Sequence, residues 1–351
     1  MAKLRLCIVT ELLQEPFDEG MKIFANSLII AISRIAEIQV LAINCLGVQE
    51  YRVTTISANK LFISMKLRSL IRKINPSYLI YIPAASSTLN SFIRARILKF
   101  YCYCPIGLIA LQPRYYSFIV KKMISMLKPD IVFTQSKISA KFYSQLGIES
   151  KFLNPAVDLE KFIPADENTK DNIRKKYMIS KDTFLVLHCG HIKQSRNLNI
   201  LKTLTTIPKV QVLIVSSTST KTDKKVLKEL QVAGSIVYQD YIDNIADIYQ
   251  MSDCYVFPVI CHTGAIEMPL SILEAMACNL PILCTQFGSI YQEFGQNKGL
   301  YYFANENELR DKLVEIKTNK TFATREIVRN LTWHKIAQDI TNNLEEINEC
   351  R

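Results

Sequence analysis

No stretch of this sequence reaches the roughly 18 uninterrupted apolar residues of a membrane-spanning helix, although residues 28–43 are rich in Ile, Leu and Ala. Lys3 and Arg5 precede only a short apolar run, without the longer apolar region and small-residue cleavage site of a secretory signal. On both counts a cytoplasmic protein is expected. None of the ten cysteines stands at CxxC spacing, and the closest pair, Cys102 and Cys104, flanks Tyr103 on a strand-like segment. Reduced, mostly buried thiols are the expectation. The four histidines form no metal-ligand pattern, so no metal site is expected. Zinc-finger spacing, a basic zipper and an RNA-binding aromatic signature are all missing, which argues against a nucleic-acid partner. There is no internal repeat and no low-complexity block.

Apolar material is plentiful. Of 351 residues, 49% are hydrophobic, enough for packed cores, and the length suits two domains. The net charge of +11 is unevenly spread: residues 1–155 hold 20 Lys or Arg against 8 Asp or Glu, and residues 156–351 hold 23 against 24. The basic first half has a field suited to an anionic membrane or a phosphorylated acceptor.

Strand-like apolar runs alternate with helix-length amphipathic segments, the pattern of parallel α/β architecture. In the first half, strands are expected at Leu4–Thr10, Ile38–Ile43, Tyr78–Ile82, Ile106–Leu111 and Asp130–Thr134, with helices near 20–35, 59–73, 87–99, 115–127 and 137–145. Asn154-Pro155, Pro164 and the polar run Ala165–Lys176 read as a linker zone. A second series follows, with strands at Thr183–His188, Val210–Val215, Ser235–Tyr238, Asp253–Pro258, Pro281–Cys284 and Leu300–Phe303. Its helices fall near 196–205, 222–231, 243–251, 270–278, 306–317 and 334–349. Helix 59–73 carries Lys60, Lys66, Arg68, Arg72 and Lys73 beside its apolar residues. It fits either ordinary packing or an interfacial helix on anionic lipid, with Lys121 and Lys122 extending the same surface.

Two segments carry the chemistry. Asp253 to Leu283 reads as a buried strand, a loop containing Gly264, a helix opening near Pro269 and a further buried strand. The free N–H groups at the helix start near Pro269, Leu270 and Ser271, of which proline supplies none, suit a diphosphate, and Glu274 lies about one turn in, able to accept from ribose hydroxyls. On residue chemistry alone, ordinary helix packing with a solvated Glu274 stands beside that reading. The second segment, Phe184 to Asn197, is a strand running into Gly190, His191, Lys193 and Arg196, with Ser195 as an N-cap. A solvated loop face is the alternative there.

Pro269 to Pro281, with Leu-Glu-Ala-Met-Ala-Cys-Asn-Leu-Pro at its end, resembles the signature of glycosyltransferase family 4, the glycosyl transferases group 1. The resemblance implies that Glu274 binds the nucleotide ribose. The family's second Glu, on the transferred sugar, falls at Ile266 here, and Glu267 is the nearest carboxylate and catalytic candidate. Gly190 to Asn197 resembles the family's Gly-Arg and Lys-Gly segment, whose cations neutralise the departing diphosphate. His191 then stands for Arg and Arg196 for Lys, with Lys193 as an alternative second cation; Arg196 can grip phosphate bidentately.

Weaker matches extend over nearly the whole chain. Asn154 to Pro164 resembles the interdomain segment, Asp18-Glu19-Gly20-Met21 a loop over the donor phosphates, and Tyr238 to Ile242 the nucleobase contact, through Tyr241 and Ile242. Trp333 resembles the residue that opens the last helix. Gln112 occupies the place of a catalytic His and is an acceptor-side candidate, unable to act as a base.

The fold so implied is GT-B, an α/β pair of Rossmann-like doubly wound domains with an inter-domain cleft. The expected parts are an acceptor-side domain at 1–160, a donor domain at 161–333 and a helix at 334–351 returning to the first. The expected activity moves a sugar from a nucleotide-diphosphate sugar to a glycan or glycolipid acceptor, with retention. The nucleotide-sugar is a substrate and no cofactor is expected. No Asp-x-Asp triplet is present, so metal independence is expected. Peripheral contact with an anionic membrane through the basic domain is compatible with a cytoplasmic location. Three other readings stay open: a nucleotide-sugar epimerase, a scaffold that has lost activity (Ile266, His191 and Gln112 replacing functional residues), and a membrane adaptor.

Overall fold

Strands that are apolar on both faces need cover on both, and a parallel sheet flanked by helices supplies it. The computed structural model, which describes residues 5–45, 53–296, 299–319 and 321–349, contains two such sheets, each in its own compact unit. All strand pairs among the described residues are parallel.

The first unit comprises residues 1–17, 21–155 and 333–351. Its strands are β1 (Arg5–Thr10), β2 (Glu37–Ile43), β3 (Val53–Ile56), β4 (Tyr78–Ile82), β5 (Ile106–Ala110), β6 (Ile131–Thr134) and β7 (Ser150–Phe152), in the order β3-β2-β1-β4-β5-β6-β7. The helices are α1 (Gly20–Ser33), α2 (Met65–Ile74), α3 (Leu89–Cys102), α4 (Phe118–Met126) and α5 (Lys137–Gln145). Every residue of β4 and β5 is buried.

The second unit comprises residues 18–20 and 156–332. Its sheet contains β8 (Phe184–Cys189), β9 (Val210–Val215), β10 (Ile236–Tyr238), β11 (Cys254–Phe257), β12 (Ile282–Cys284) and β13 (Leu300–Tyr302), ordered β10-β9-β8-β11-β12-β13. Its helices are α6 (Glu167–Lys176), α7 (Lys224–Val232), α8 (Ile245–Gln250), α9 (Leu270–Ala277), α10 (Ile290–Phe294), α11 (Glu306–Thr318) and α12 (Thr324–Val328). The last helix, α13 (Trp333–Glu349), clusters with the first unit. There Ile336, Ala337, Ile340 and Leu344 are buried at helical spacing, and Trp333 meets Phe24 edge-on at 5.4 Å.

Several elements differ from expectation. The boundary between the units falls at Pro155/Ala156 rather than after 160, with Val157 N–H donating to Leu331 O at 3.0 Å within the second unit. The helix expected from 59 begins only at Met65. Phe62 has φ 66°, outside the helical region, and Ser64 caps the helix by accepting from Leu67 N. Cys102 and Cys104 are not on a strand: Cys102 ends α3 and Tyr103 turns left-handed at φ 57°. The helix expected at 196–205 is instead two 3₁₀ segments, Gln194–Arg196 and Leu198–Thr203, divided by left-handed Asn197. Lys193, not Ser195, sits at the cap position and makes no capping bond. The edge strands β3 and β7 and the short α10 and α12 were not anticipated, and the expected strand start Leu4 lies outside the described residues.

The largest departure is α6, in the run read as linker. Asp166 caps it by accepting from Thr169 N at 2.7 Å, and its polar face is anchored instead of an apolar one. Buried Arg174 donates from Nη2 to Asp253 at 2.6 Å, from Nε to Met251 O at 2.9 Å, and from Nη1 to the carbonyls of Lys181 and Thr183. Asp253 also accepts from Leu185 N and Lys170. Removing Arg174 takes one cation from Asp253, which keeps Lys170 and Leu185 N, and withdraws a buried donor from the carbonyls of Met251, Lys181 and Thr183. Arg174→Ala is therefore expected to destabilise the protein by about 3–5 kcal/mol in denaturant titrations; a loss under about 1 kcal/mol would show that Asp253 is re-solvated at little cost.

Candidate active site at the crossover of the second sheet

In the second unit the chain runs outward from β8 to β9 and β10, then returns to build β11, β12 and β13 on the other side. β8 and β11 are neighbours, and open α/β sheets place ligands at the carboxyl ends of the strands where the order reverses. Both motifs picked out in the sequence leave from this point: β8 runs into Gly190–Asn197, and β11 into the loop that ends at Pro269. Asn197 ties the loops together, its Nδ2 donating to Pro258 O at 3.2 Å.

Arg196 is the central side chain. It is 8% exposed, and its guanidinium makes no hydrogen bond or ion pair with any described residue. Burial lowers its pKa from the usual arginine range, opposed by Tyr255 and Glu19. Five N–H donors held in this way leave a large desolvation penalty that an anion would relieve. Gly190 makes the placement sterically feasible. Its φ is +152°, and a Cβ there would lie 3.1 Å from Arg196 Nη1.

The start of α9 lies on the adjoining strand-loop-helix. Pro269 occupies the N-cap position and supplies no side-chain cap; Ile272 N–H donates to Pro269 O at 3.1 Å, while the N–H groups of Leu270 and Ser271 have no intrahelical or capping partner. Tyr255, from β11, donates to Ser271 Oγ at 2.7 Å and reaches Cys189 O at 3.3 Å, joining α9 to the end of β8. Glu274 is 9% exposed and accepts from Tyr249 Oη at 2.7 Å. Burial raises its pKa, with the Tyr249 bond opposing. Tyr249 comes from α8, so the loop holding Tyr241 and Ile242 leads into the helix that contacts Glu274. Those two residues themselves follow β10, two strands from β8; Tyr241 is 50% exposed and Ile242 partly buried.

His188 and His191 are uncharged at neutral pH, both pKa values being lowered first by burial. His191 has its pKa pushed down to about 4, first by burial and then by Arg196 and Lys193. Its Nδ1 bonds Thr220 Oγ1, and its Nε2 stands 3.9 Å from Glu19. The charge expected from the family's Arg is therefore not supplied at His191. Lys193 is exposed. Gly20 clusters with this unit, and a Cβ on it would lie 3.5 Å from Ile266, which is buried.

Glu267 is 5% exposed, with its backbone clamped: its carbonyl accepts from Ser289 N at 3.0 Å and Ser289 Oγ at 3.3 Å. A Cβ on Gly288, whose φ is +57°, would fall within 2.1 Å of that carbonyl, so the approach requires glycine. Gln112 belongs to the first unit, after β5. Its backbone N–H donates to Ser86 Oγ, and its side-chain oxygen accepts from Arg114, both at 2.9 Å. Among the described residues there is no cluster of three or more His, Cys, Asp or Glu able to hold a metal.

Gly190, Arg196, Ser271 and Glu274 are thus gathered around β8, β11 and α9. The sequence reading missed Tyr249, Tyr255 and His188. The tyrosines lie in apolar segments, where only their hydroxyls hinted at a polar task. His188 is fully buried and gives Nδ1–H to Val256 O at 2.9 Å, so Nε2 carries a lone pair. Nε2 has no hydrogen bond among the described residues, and a Cβ on Gly190 would lie 3.4 Å from it, on the side of Arg196.

Solved structures of known proteins share this architecture. HepE of Anabaena, in a structure described as a complex with UDP and glucose, aligns over 98% of this chain and 100% of its own, at a TM-score of 0.74 and 13% identity. Sucrose-phosphate synthase of Thermosynechococcus elongatus aligns over 99% and 100%, at a TM-score of 0.77 and 14% identity. These likenesses define the fold as GT-B. Residues 184–319 match the family model of the glycosyl transferases group 1. TuaC of Bacillus subtilis (strain 168), named as a teichuronic acid biosynthesis glycosyltransferase, is 27% identical over 159 residues, 44% of this chain and 38% of that relative. The match spans well under half of TuaC's length. The chain has the GT-B fold, and its residues 184–319 match the glycosyl transferases group 1.

Burial also sets an acid sensitivity. His188 has its pKa pushed down to about 4 by burial, against roughly 6.5 in an unfolded chain. As pH falls the unfolded chain takes up this proton first, so the stability fully present above about 6.5 is lost towards 4. The loss is expected to be on the order of 3 kcal/mol for His188, with His191 acting in the same direction. Denaturant titrations between pH 7 and 4 check it: His188→Phe should show a shallower fall than wild type, and an equal fall would assign the sensitivity elsewhere.

Proposed function

We propose that this protein transfers a sugar from a nucleotide-diphosphate sugar to an acceptor hydroxyl, with the donor held by the second unit. The observation that carries the reading is Arg196, a nearly buried guanidinium without a protein acceptor, beside Gly190 at the β8/β11 crossover. A diphosphate bridging Arg196 and the first-turn N–H groups of α9 would satisfy both sets of donors. Glu274 accepts from the ribose hydroxyls, and Glu267 is the carboxylate candidate on the transferred sugar. Lys193 adds a solvated positive charge. Support comes from HepE, whose structures are described in complex with UDP and with UDP-glucose, and from the glycosyltransferase name of TuaC.

In the reaction proposed, the bond from the sugar's anomeric carbon to the diphosphate oxygen breaks while the acceptor oxygen bonds to that carbon. Arg196 and the α9 N-terminus stabilise the charge growing on the leaving group. The departing phosphate oxygen takes the acceptor's proton, which gives retention and requires no base at Gln112. No divalent metal takes part in this scheme. The acceptor class proposed is a glycan or a glycolipid.

Titration calorimetry with UDP and other nucleoside diphosphates tests the donor site. Arg196→Ala is expected to weaken diphosphate binding by about tenfold to a hundredfold, and Glu274→Gln by about tenfold with nucleoside diphosphate but little with pyrophosphate. Unchanged affinity in Arg196→Ala would overturn the assignment. Transfer rates should be insensitive to EDTA, measured by mass spectrometry of the glycosylated acceptor. Strict dependence on added manganese would refute the metal-free scheme, and release of an isomerised sugar nucleotide instead would identify an epimerase.

A further inference from the structure

A helix packed on a sheet normally turns its apolar residues inward, and α4, which packs Val120 and Ile124 against the core, carries a second apolar face on its outer side. Of its nine residues only Ile124 is buried. Phe118 is 82% exposed, Ile119 71%, Met123 39% and Met126 72%. Positions 118, 119, 122, 123 and 126 share one face at helical spacing, so these four apolar side chains surround Lys122, which is also exposed. Tyr115, 81% exposed, extends the patch in the loop leading into the helix.

Charge identifies the occupant. Residues 112–129 contain Arg114, Lys121, Lys122 and Lys128 and no Asp or Glu, within a half-chain of 20 basic and 8 acidic residues. Lys121 lies over the Phe142 ring at 5.7 Å, flanking the same helix. Apolar tips around a lysine, with basic residues alone on the flanks, suit a surface with anionic headgroups above hydrocarbon. A second copy docked face to face would bring like charges together. Helix α2, whose sequence first suggested an interfacial role, buries Leu67 and Ile71 in the core and packs Leu70 and Ile74 against it. No helix among the described residues is long and apolar enough to cross a membrane.

We propose that the outward face of α4, through Phe118, Ile119, Lys122 and Met126, seats the first unit on an anionic lipid surface. This assignment stands independently of the transfer reaction.

Vesicle flotation tests it, comparing phosphatidylcholine alone with phosphatidylcholine partly replaced by phosphatidylglycerol. Wild type is expected to float with the anionic vesicles only, and less at high salt. Phe118→Ser, Ile119→Ser and Met126→Ser together should reduce partitioning by at least about tenfold. The pair Lys121→Glu and Lys122→Glu should reduce it by about tenfold or more. The serine variant should melt as wild type does, because the side chains it changes are exposed. Failure to float, equal flotation with neutral vesicles, or undiminished flotation of the folded serine variant would overturn the proposal. So would a concentration-dependent dimer that the serine variant abolishes, without flotation, which would assign the face to a second copy.

Discussion

Parallel pairing of β8 with β11 brings together two loops whose contacting residues, Asn197 and Pro258, are 61 positions apart in the chain, and it does so where the strand order reverses. Everything distinctive about the candidate site follows from that neighbour relation. Arg196 comes from one loop, α9 from the other, and Asn197 and Tyr255 stitch them together. A guanidinium enclosed there without a protein acceptor is unfavourable until an anion arrives. Gly190 permits this packing because it has no Cβ to meet Arg196.

The site departs in a consistent way from the pattern of the family it resembles. His191 is an uncharged ring bonded to Thr220, so positive charge concentrates on Arg196, with Lys193 in solvent. Ile266 is buried, and the adjacent Glu267 has its backbone clamped by Gly288 and Ser289. In the proposed reaction the leaving group is therefore stabilised mainly by one arginine and one helix start. Glu274, held by Tyr249 in an enclosed position, suits ribose hydroxyls, which can donate to it without adding charge.

The α/β alternation was legible because parallel strands buried on both faces read as continuous apolar runs, as in β4 and β5. The edge strands β3 and β7 lacked such runs, since edge residues are partly exposed. Helix α6 escaped because it is fixed by Arg174 and its caps, with little apolar stripe to detect. The helix read over 196–205 failed at Asn197, whose left-handed backbone is stabilised by a bond to Pro258, a residue 61 positions away.

By itself, the sequence determined the two-unit parallel architecture, the strand-loop-helix character of both motifs and the identity of Glu274 and Arg196 as donor candidates. Those features depend on hydrophobic periodicity and on glycine, proline and charge at short spacing. Tertiary structure alone decided that Arg196 is enclosed without a partner, that His188 and His191 are neutral, that Tyr249 holds Glu274, and that α4 carries a second, solvent-facing apolar face. Burial, protonation and the direction of a helix face depend on neighbours brought in from distant chain segments, and no local pattern encodes which neighbours those will be.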